Sequence, residues 1–245
     1  MTDYVGIAEA MPVADLPIFM SEYYETQGRA ISASSGAISL LIGDNIMAVW
    51  DQPNSAQLAC ESALAQSDAM KKFGEWAKAH GYPSPAFRIG INTGMMLIQR
   101  GPAPRDLRVL GDAVNTAARL EQLNKEYGTQ FLMSEATLAG LAPSMIVRPA
   151  DVVRIKGKEN TVKLFELIGI AKEVDTEQSK FLDKFRAAFA NYESANFKEA
   201  LDLFEAVQNH MPADALTGLY ISRCRQLMKL PPDESWNGVM TFRVE

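Results

Sequence analysis

Apolar positions along the chain alternate between helical spacing and short continuous runs, which predicts interleaved helices and strands. A helix is expected over 16–34 (LPIFMSEYYETQGRAISAS). The run 37–50, AISLLIGDNIMAVW, reads as two strands around Gly43-Asp44, a hairpin signal. Its near-continuous apolarity predicts burial on both faces. A long helix, capped by Asn54 or Ser55 and running to about His80, carries Leu58, Ala59, Ala63, Met70 and Phe73 at helical spacing. Pro83 and Pro85 mark the linker after it, 86–92 (AFRIGIN) reads as a strand, and 95–98 as a further apolar run. A polar loop, QRGPAPRD, follows at 99–106.

The stretch 108–128, RVLGDAVNTAARLEQLNKEYG, organises what surrounds it. A short strand leads through Gly111 into a helix, with Asp112 placed to cap it. Asn115 and Arg119 lie four apart and so share one face. An amide and a guanidinium fork suit a sugar and a phosphate; an ordinary solvated helix face is the alternative. Beyond it come a strand over 129–133, a short helix capped by Ser134, and strands over 147–155 and 161–168 around Lys156-Gly157-Lys158. The order to about residue 170 implies an α+β or α/β domain with one central sheet. The charged segment 171–177 then reads as a linker, and 178–245 as a helical tail with helices over 178–194, 197–210 and 213–229. Ala188, Ala200, Phe204 and Pro212 fit a tetratricopeptide-type unit. Trp236 and Phe242, in the final stretch, can dock onto the body.

Composition narrows the classes. The 245 residues are 47% hydrophobic and 22% charged, with net charge −6. No basic surface for nucleic acid is implied. Two histidines and two distant cysteines, Cys60 and Cys224, exclude a His-rich metal site and a cysteine metal or redox motif. The cysteines read as small buried hydrophobes of a reducing compartment. No apolar run is long enough for a membrane span, and the N-terminus, MTDYVG, shows no signal peptide.

Several separated segments occur in one characteristic order: GDNIMAVW, RIGINTG, VLGDAVNTAARLE, SEATL after a strand, and IKGKENTVKLFEL. Together they resemble the class III nucleotidyl cyclase catalytic domain, the adenylate and guanylate cyclase family, over residues 1–170. The resemblance implies an α+β fold of ferredoxin-like type, with a mostly antiparallel central sheet, extended here by a small all-α tail. It implies a cyclase making a 3′,5′-cyclic nucleotide and pyrophosphate from a nucleoside triphosphate, ATP ahead of GTP, for cyclic-nucleotide signalling. The alternative is a weak or inactive homologue that binds nucleotide or only dimerises.

The resemblance also assigns residues. Asp3, in TDYVGIAE, and Asp44 match the family's metal aspartates, with the Tyr4 carbonyl as an added ligand, for two Mg²⁺ or Mn²⁺ ions per site. Asn115 matches the ribose-orienting asparagine, Arg119 the transition-state arginine, and Lys156 a lysine on the terminal phosphates. Leu40 and Arg108 occupy the positions that read the base, departing from the usual polar residues. The family's site is shared between two subunits, so a homodimer is expected. Only Met1 and Thr2 precede Asp3 where the family has a central strand, so a longer chain, with an upstream sensor, is the expectation. A cytoplasmic location follows, whether of a soluble protein or of the cytoplasmic part of a membrane-anchored one, with neither nucleic acid nor membrane contacted by this segment.

Overall fold

The structure, a computed structural model, describes residues 1–101, 107–154, 161–233 and 236–239. Its chain divides into two compact units, Met1–Arg119 and Leu120–Glu245.

The first unit opens with helix α1 (Tyr4–Ala10) and helix α2 (Leu16–Ala33), with Pro17 in the first turn of α2, where its missing N–H costs nothing. Strands β1 (Ala37–Ile42) and β2 (Asn45–Val49) follow, then helix α3 (Ser55–Ala79). Phe19, Tyr23, Gln27 and Ile31 form the buried stripe of α2. It faces α3, whose Ala59, Ala63, Met70, Phe73 and Ala77 are buried. Alanines on α3 let the helices approach, and Phe19 and Phe73 lock the far end with ring centroids 5.1 Å apart. Asn54 holds the N-cap position of α3 without a side-chain cap bond.

The hairpin forms where Gly43-Asp44 predicts it. β1 and β2 are antiparallel with Ile42 opposite Asn45, and Gly43 takes φ 56°, a left-handed value open to glycine. Its expected burial on both faces is corrected: Leu40, Leu41 and Ile42 are exposed (46%, 46% and 65%). β1 has only β2 in its ladder, and residues 1–3 form no strand, Thr2 N donating to Ala86 O at 2.8 Å. The register shifts between Ile38 and Leu40, so Ser39 is the extra residue of a β-bulge.

The expected strand over 86–92 shortens to β3 (Ile89–Ile91). β4 (Leu97–Arg100) and β5 (Leu107–Leu110) pair antiparallel, with residues 102–106 of the intervening loop outside the described residues. Leu107 and Val109 join Val49 in a small core with Met47, Met96, Ile98 and Val114 against it. The expected single central sheet is thus divided, because β1–β2 and β4–β5 are two-stranded ladders of their own. Helix α4 (Asp112–Tyr127) runs from the first unit into the second. Asp112 stands at the start of the helix, where its negative charge suits the positive end.

The second unit contains the rest of α4, β6 (Phe131–Ser134), helix α5 (Glu135–Leu138), β7 (Met145–Arg154) and β8 (Thr161–Ile170). β8 lies between β6 and β7, antiparallel to both. Ser134 stands at the N-cap of α5 without a side-chain cap bond. A short 3-10 turn, Ala171–Glu173, leads to α6 (Thr176–Glu193), α7 (Phe197–His210) and α8 (Ala215–Lys229). Asp175 and Gln178 close a capping box that starts α6. One core joins Leu132, Ala150, Val153 and Leu164 of the strands to Phe185, Phe204 and Tyr220 of the helices. Trp236 packs edge-on against Tyr192 and Phe197 of the tail's own helices, while Phe242 lies outside the described residues.

Charges buried in this unit are paired. The Arg148 guanidinium donates to both Asp214 oxygens at 2.9 and 2.7 Å and to Glu166 at 2.6 Å, and lies 4.6 Å from the Phe185 ring centre. Arg223 is 2.9 Å from Asp151, which also accepts the Tyr127 hydroxyl at 2.8 Å. Tyr220 donates to Ala150 O at 2.7 Å.

Candidate active site

The carboxylates come first. Asp3 is the N-cap of α1, and its Oδ1 accepts from Gly6 N at 3.3 Å. Its backbone is left-handed (φ 56°), a conformation aspartate tolerates better than most residues. A Cβ added at Gly6 would meet the Asp3 carboxylate oxygens at 2.6 and 2.7 Å. The glycine three after the aspartate therefore makes the cradle in which the carboxylate folds over the helix end. Tyr4 is the first residue of α1.

Asp44 sits at the hairpin tip. Its Oδ2 is 2.5 Å from the main-chain nitrogen of Met1, so the segment leading to Asp3 reaches this carboxylate. Two phenols hold the tip from α2: Tyr23 donates to Asp44 O at 3.1 Å, and Tyr24 donates to Gly43 O. The Tyr24 phenol is held above its ordinary value, first by burial and then by Tyr4 and Asp44, which places those groups in one electrostatic neighbourhood. Sequence reasoning missed both tyrosines. The signal was the pair of hydroxyl aromatics in SEYYETQ, one of which a helix needs for its core and the other of which it does not.

Two carboxylates and a main-chain carbonyl are hard oxygen donors of the kind divalent ions select. The chemistry of this donor set fits such an ion, with the Asp3 carboxylate folded over the end of α1 and the Asp44 carboxylate at the hairpin tip. Among the described residues no group of three or more His, Cys, Asp or Glu is placed to hold a metal ion, so the candidate donors here are the two aspartates and the carbonyl alone.

The polar face of α4 is separately built. Ala113, Thr116, Leu120, Leu123 and Tyr127 are buried along one side, which turns Asn115 to solvent and leaves Arg119 half-buried. Asn92 Nδ2 donates to Ala113 O at 3.0 Å, tying RIGINTG to the first turn. Gly111 (φ 151°) lies so close to the segment that leads into β4 that a Cβ would be 3.1 Å from Met95 O. The glycine of LGD thus allows the sharp entry that aims Asn115 and Arg119.

Leu40 and Arg108 are both exposed, on β1 and β5. The residues just before them are joined, Ser39 Oγ donating to Leu107 O at 2.9 Å. Lys156 lies outside the described residues.

The adenylate and guanylate cyclase catalytic domain model matches residues 22–169. The chain is similar to adenylate cyclase 1 of Rhizobium meliloti, 31% identical over 183 residues, which is 72% of this chain and 28% of that protein. It is similar also to the terminal-differentiation-specific adenylate cyclase of Dictyostelium discoideum, 32% identical over 238 residues. That match takes in 93% of this chain, its C-terminal helices included, and 11% of that protein. The chain thus spans a minor part, from 11% to 34%, of these relatives and of the adenylate cyclase of Anabaena cylindrica. Among solved structures, the adenylyl cyclase CyaB from P. aeruginosa superposes with TM-score 0.61 at 21% identity, over 71% of this chain and 92% of that one. The guanylyl cyclase Cya2 gives 0.62 at 20% identity, over 71% of this chain and 91% of that one. At such identity these likenesses show the fold.

Proposed function

Since the chain belongs to the adenylate and guanylate cyclase catalytic-domain family, we propose that it converts a nucleoside triphosphate, ATP ahead of GTP, to a 3′,5′-cyclic nucleotide and pyrophosphate. The observation that carries this reading is the Asp44 hairpin tip, held from α2 and approached by the Asp3 segment. The ATP preference draws on the relatives, adenylate cyclases by name. We assign residues 1–170 to the catalytic domain. The tail over 178–245, joined to it through 171–177, is a tetratricopeptide-like extension.

In this reading Asp3, Asp44 and the Tyr4 carbonyl hold two Mg²⁺ or Mn²⁺ ions. When bound, the ions supply Lewis-acid chemistry, lowering the pKa of the ribose 3′-hydroxyl and holding the leaving pyrophosphate. Asn115 orients the ribose, so that the 3′-oxygen faces the α-phosphorus. The new O–P bond forms as the α–β anhydride bond breaks, and the 3′-proton passes to solvent. Arg119 neutralises charge growing on the α-phosphate, and Lys156 holds the terminal phosphates. Leu40 and Arg108 face the base. Asp3 and Asp44 come from one copy of the chain and Asn115, Arg119 and Lys156 from the other. The working unit is a homodimer, within a longer signalling protein that carries a sensor and whose cyclase part lies in the cytoplasm. No helix among the described residues is long and apolar enough to cross a membrane.

One observation favours a second reading, a homologue that binds nucleotide or only dimerises: Leu40 offers no hydrogen bond to a base. Assay of ATP and GTP with Mg²⁺ and with Mn²⁺ separates the two. Metal-dependent release of cyclic nucleotide is the expected result; none with either triphosphate would leave the second reading standing.

A further inference from the structure

We propose that Ser39 is a positioning residue for nucleotide selectivity, a bulge hydroxyl that pins the strand of Leu40 to the strand of Arg108. The inference rests on the reading that these two side chains face the base.

The geometry is local. Ile38 lies opposite Ala48 and Leu40 opposite Met47, so Ser39 has no partner of its own in the β1–β2 register. A bulged residue bends its strand and re-aims its side chain. Here the hydroxyl donates to Leu107 O at 2.9 Å, sixty-eight residues along the chain. β1 packs against β5, yet the two strands belong to different ladders. The side-chain bond therefore stands where a backbone ladder would otherwise fix their relative register. It joins residues 39 and 107, each immediately before a proposed base-facing residue. Leu107 is itself buried beside Val109 and Val49, so the acceptor end of the pin is anchored in a core.

The two proposed readers are a branched apolar side chain and a long flexible cation. Discrimination between adenine and guanine then depends on how far the Arg108 strand stands from the Leu40 strand, more than on a matched hydrogen bond at residue 40. Losing the pin frees that distance. It removes no group proposed to touch the metal, ribose or phosphates.

The test compares the parent chain with Ser39→Ala and Ser39→Thr, using ATP and GTP as substrates and α,β-methylene ATP and GTP as binding probes. In Ser39→Ala the ratio of kcat/KM for the two triphosphates is expected to move toward one by about three- to tenfold, the worth of one hydrogen bond. The ratio of the two Kd values moves with it. Ser39→Thr, which keeps the hydroxyl, retains the parent ratios. Equal losses on both nucleotides, unchanged ratios, or a parent that does not discriminate would overturn the proposal. A parent that binds both probes but turns over neither substrate overturns the catalytic reading alone, and the Kd ratios still decide the role of Ser39. A parent that binds neither overturns both.

Discussion

In the unit Met1–Arg119 the large apolar side chains at the hairpins, Leu40, Leu41, Ile42, Leu97 and Leu110, stand in solvent, and Met95 is 94% exposed. In the unit Leu120–Glu245 four large aromatic side chains, Phe185, Tyr192, Phe204 and Tyr220, are fully buried, and the charges among them are paired. Both segments read as apolar in sequence. They differ in what their ladders and helices supply as cover. Helices α6, α7 and α8 share one core with β7 and β8, whereas, among the described residues, the end of β1 is exposed on both faces and β5 on one. Exposed apolar surface of this kind marks an interaction site, which accords with a site completed by a second copy.

The contrast can be broken at its strongest point. Phe185→Ala empties the centre of the second unit, where the ring meets Phe204, Tyr220 and the Arg148 guanidinium. It should cost about 3–5 kcal/mol in denaturant unfolding. Asp214→Asn comes next. Burial pushes the Asp214 carboxyl up, but its hydrogen bonds and attraction to Arg148 more than offset this and hold it below its usual value. A carboxyl held down stabilises the fold above its unfolded pKa, and that part is lost as pH falls through the folded value. The variant should therefore be less stable by about 3 kcal/mol at neutral pH. The gap to the parent should close as pH is lowered through the carboxylate range, as thermal unfolding at several pH values would show.

The first unit should answer differently. Tyr24→Phe keeps the ring and removes the hydroxyl that holds Gly43 O. It should raise the Mg²⁺ concentration for half-maximal turnover by about fivefold, the worth of one hydrogen bond, and cost no more than about 1 kcal/mol in stability. Leu41→Ser, at an exposed position, should change monomer stability by less than about 0.5 kcal/mol. It should still weaken self-association in sedimentation, which a solvated surface leucine would not.

What was legible in the sequence follows the same division. The helices around residues 16–33, 55–79 and 176–229 are long and strongly periodic, so their existence and near-boundaries could be read. So could the Gly43-Asp44 hairpin, because its turn chemistry is local. Burial of that hairpin could not be read: apolarity shows what a strand would gain by being covered, not whether another strand lies beside it. The Ser39 bulge and the Tyr23 and Tyr24 bonds to the hairpin tip are contacts across many residues, invisible to periodicity. Motif order, not periodicity, is what singled out Asp3, Asp44, Asn115 and Arg119 as candidates, and the family model that matches residues 22–169 takes in the last three. Lys156 lies outside the described residues.

The central claim is a catalytic site completed by two copies of the chain, and complementation tests it most directly. Asp44→Ala removes a proposed metal ligand, and Arg119→Ala removes a proposed transition-state donor, which should lower kcat by about 10²–10³. Each purified variant is expected to be nearly inactive yet folded. Mixed in equal amounts and allowed to exchange subunits, they should recover about a quarter of the parent's rate of cyclic-nucleotide formation, since half the dimers are mixed and each holds one intact site. Activity that stays at the level of the single variants, with both proteins folded and mixed dimers demonstrated, would contradict the account.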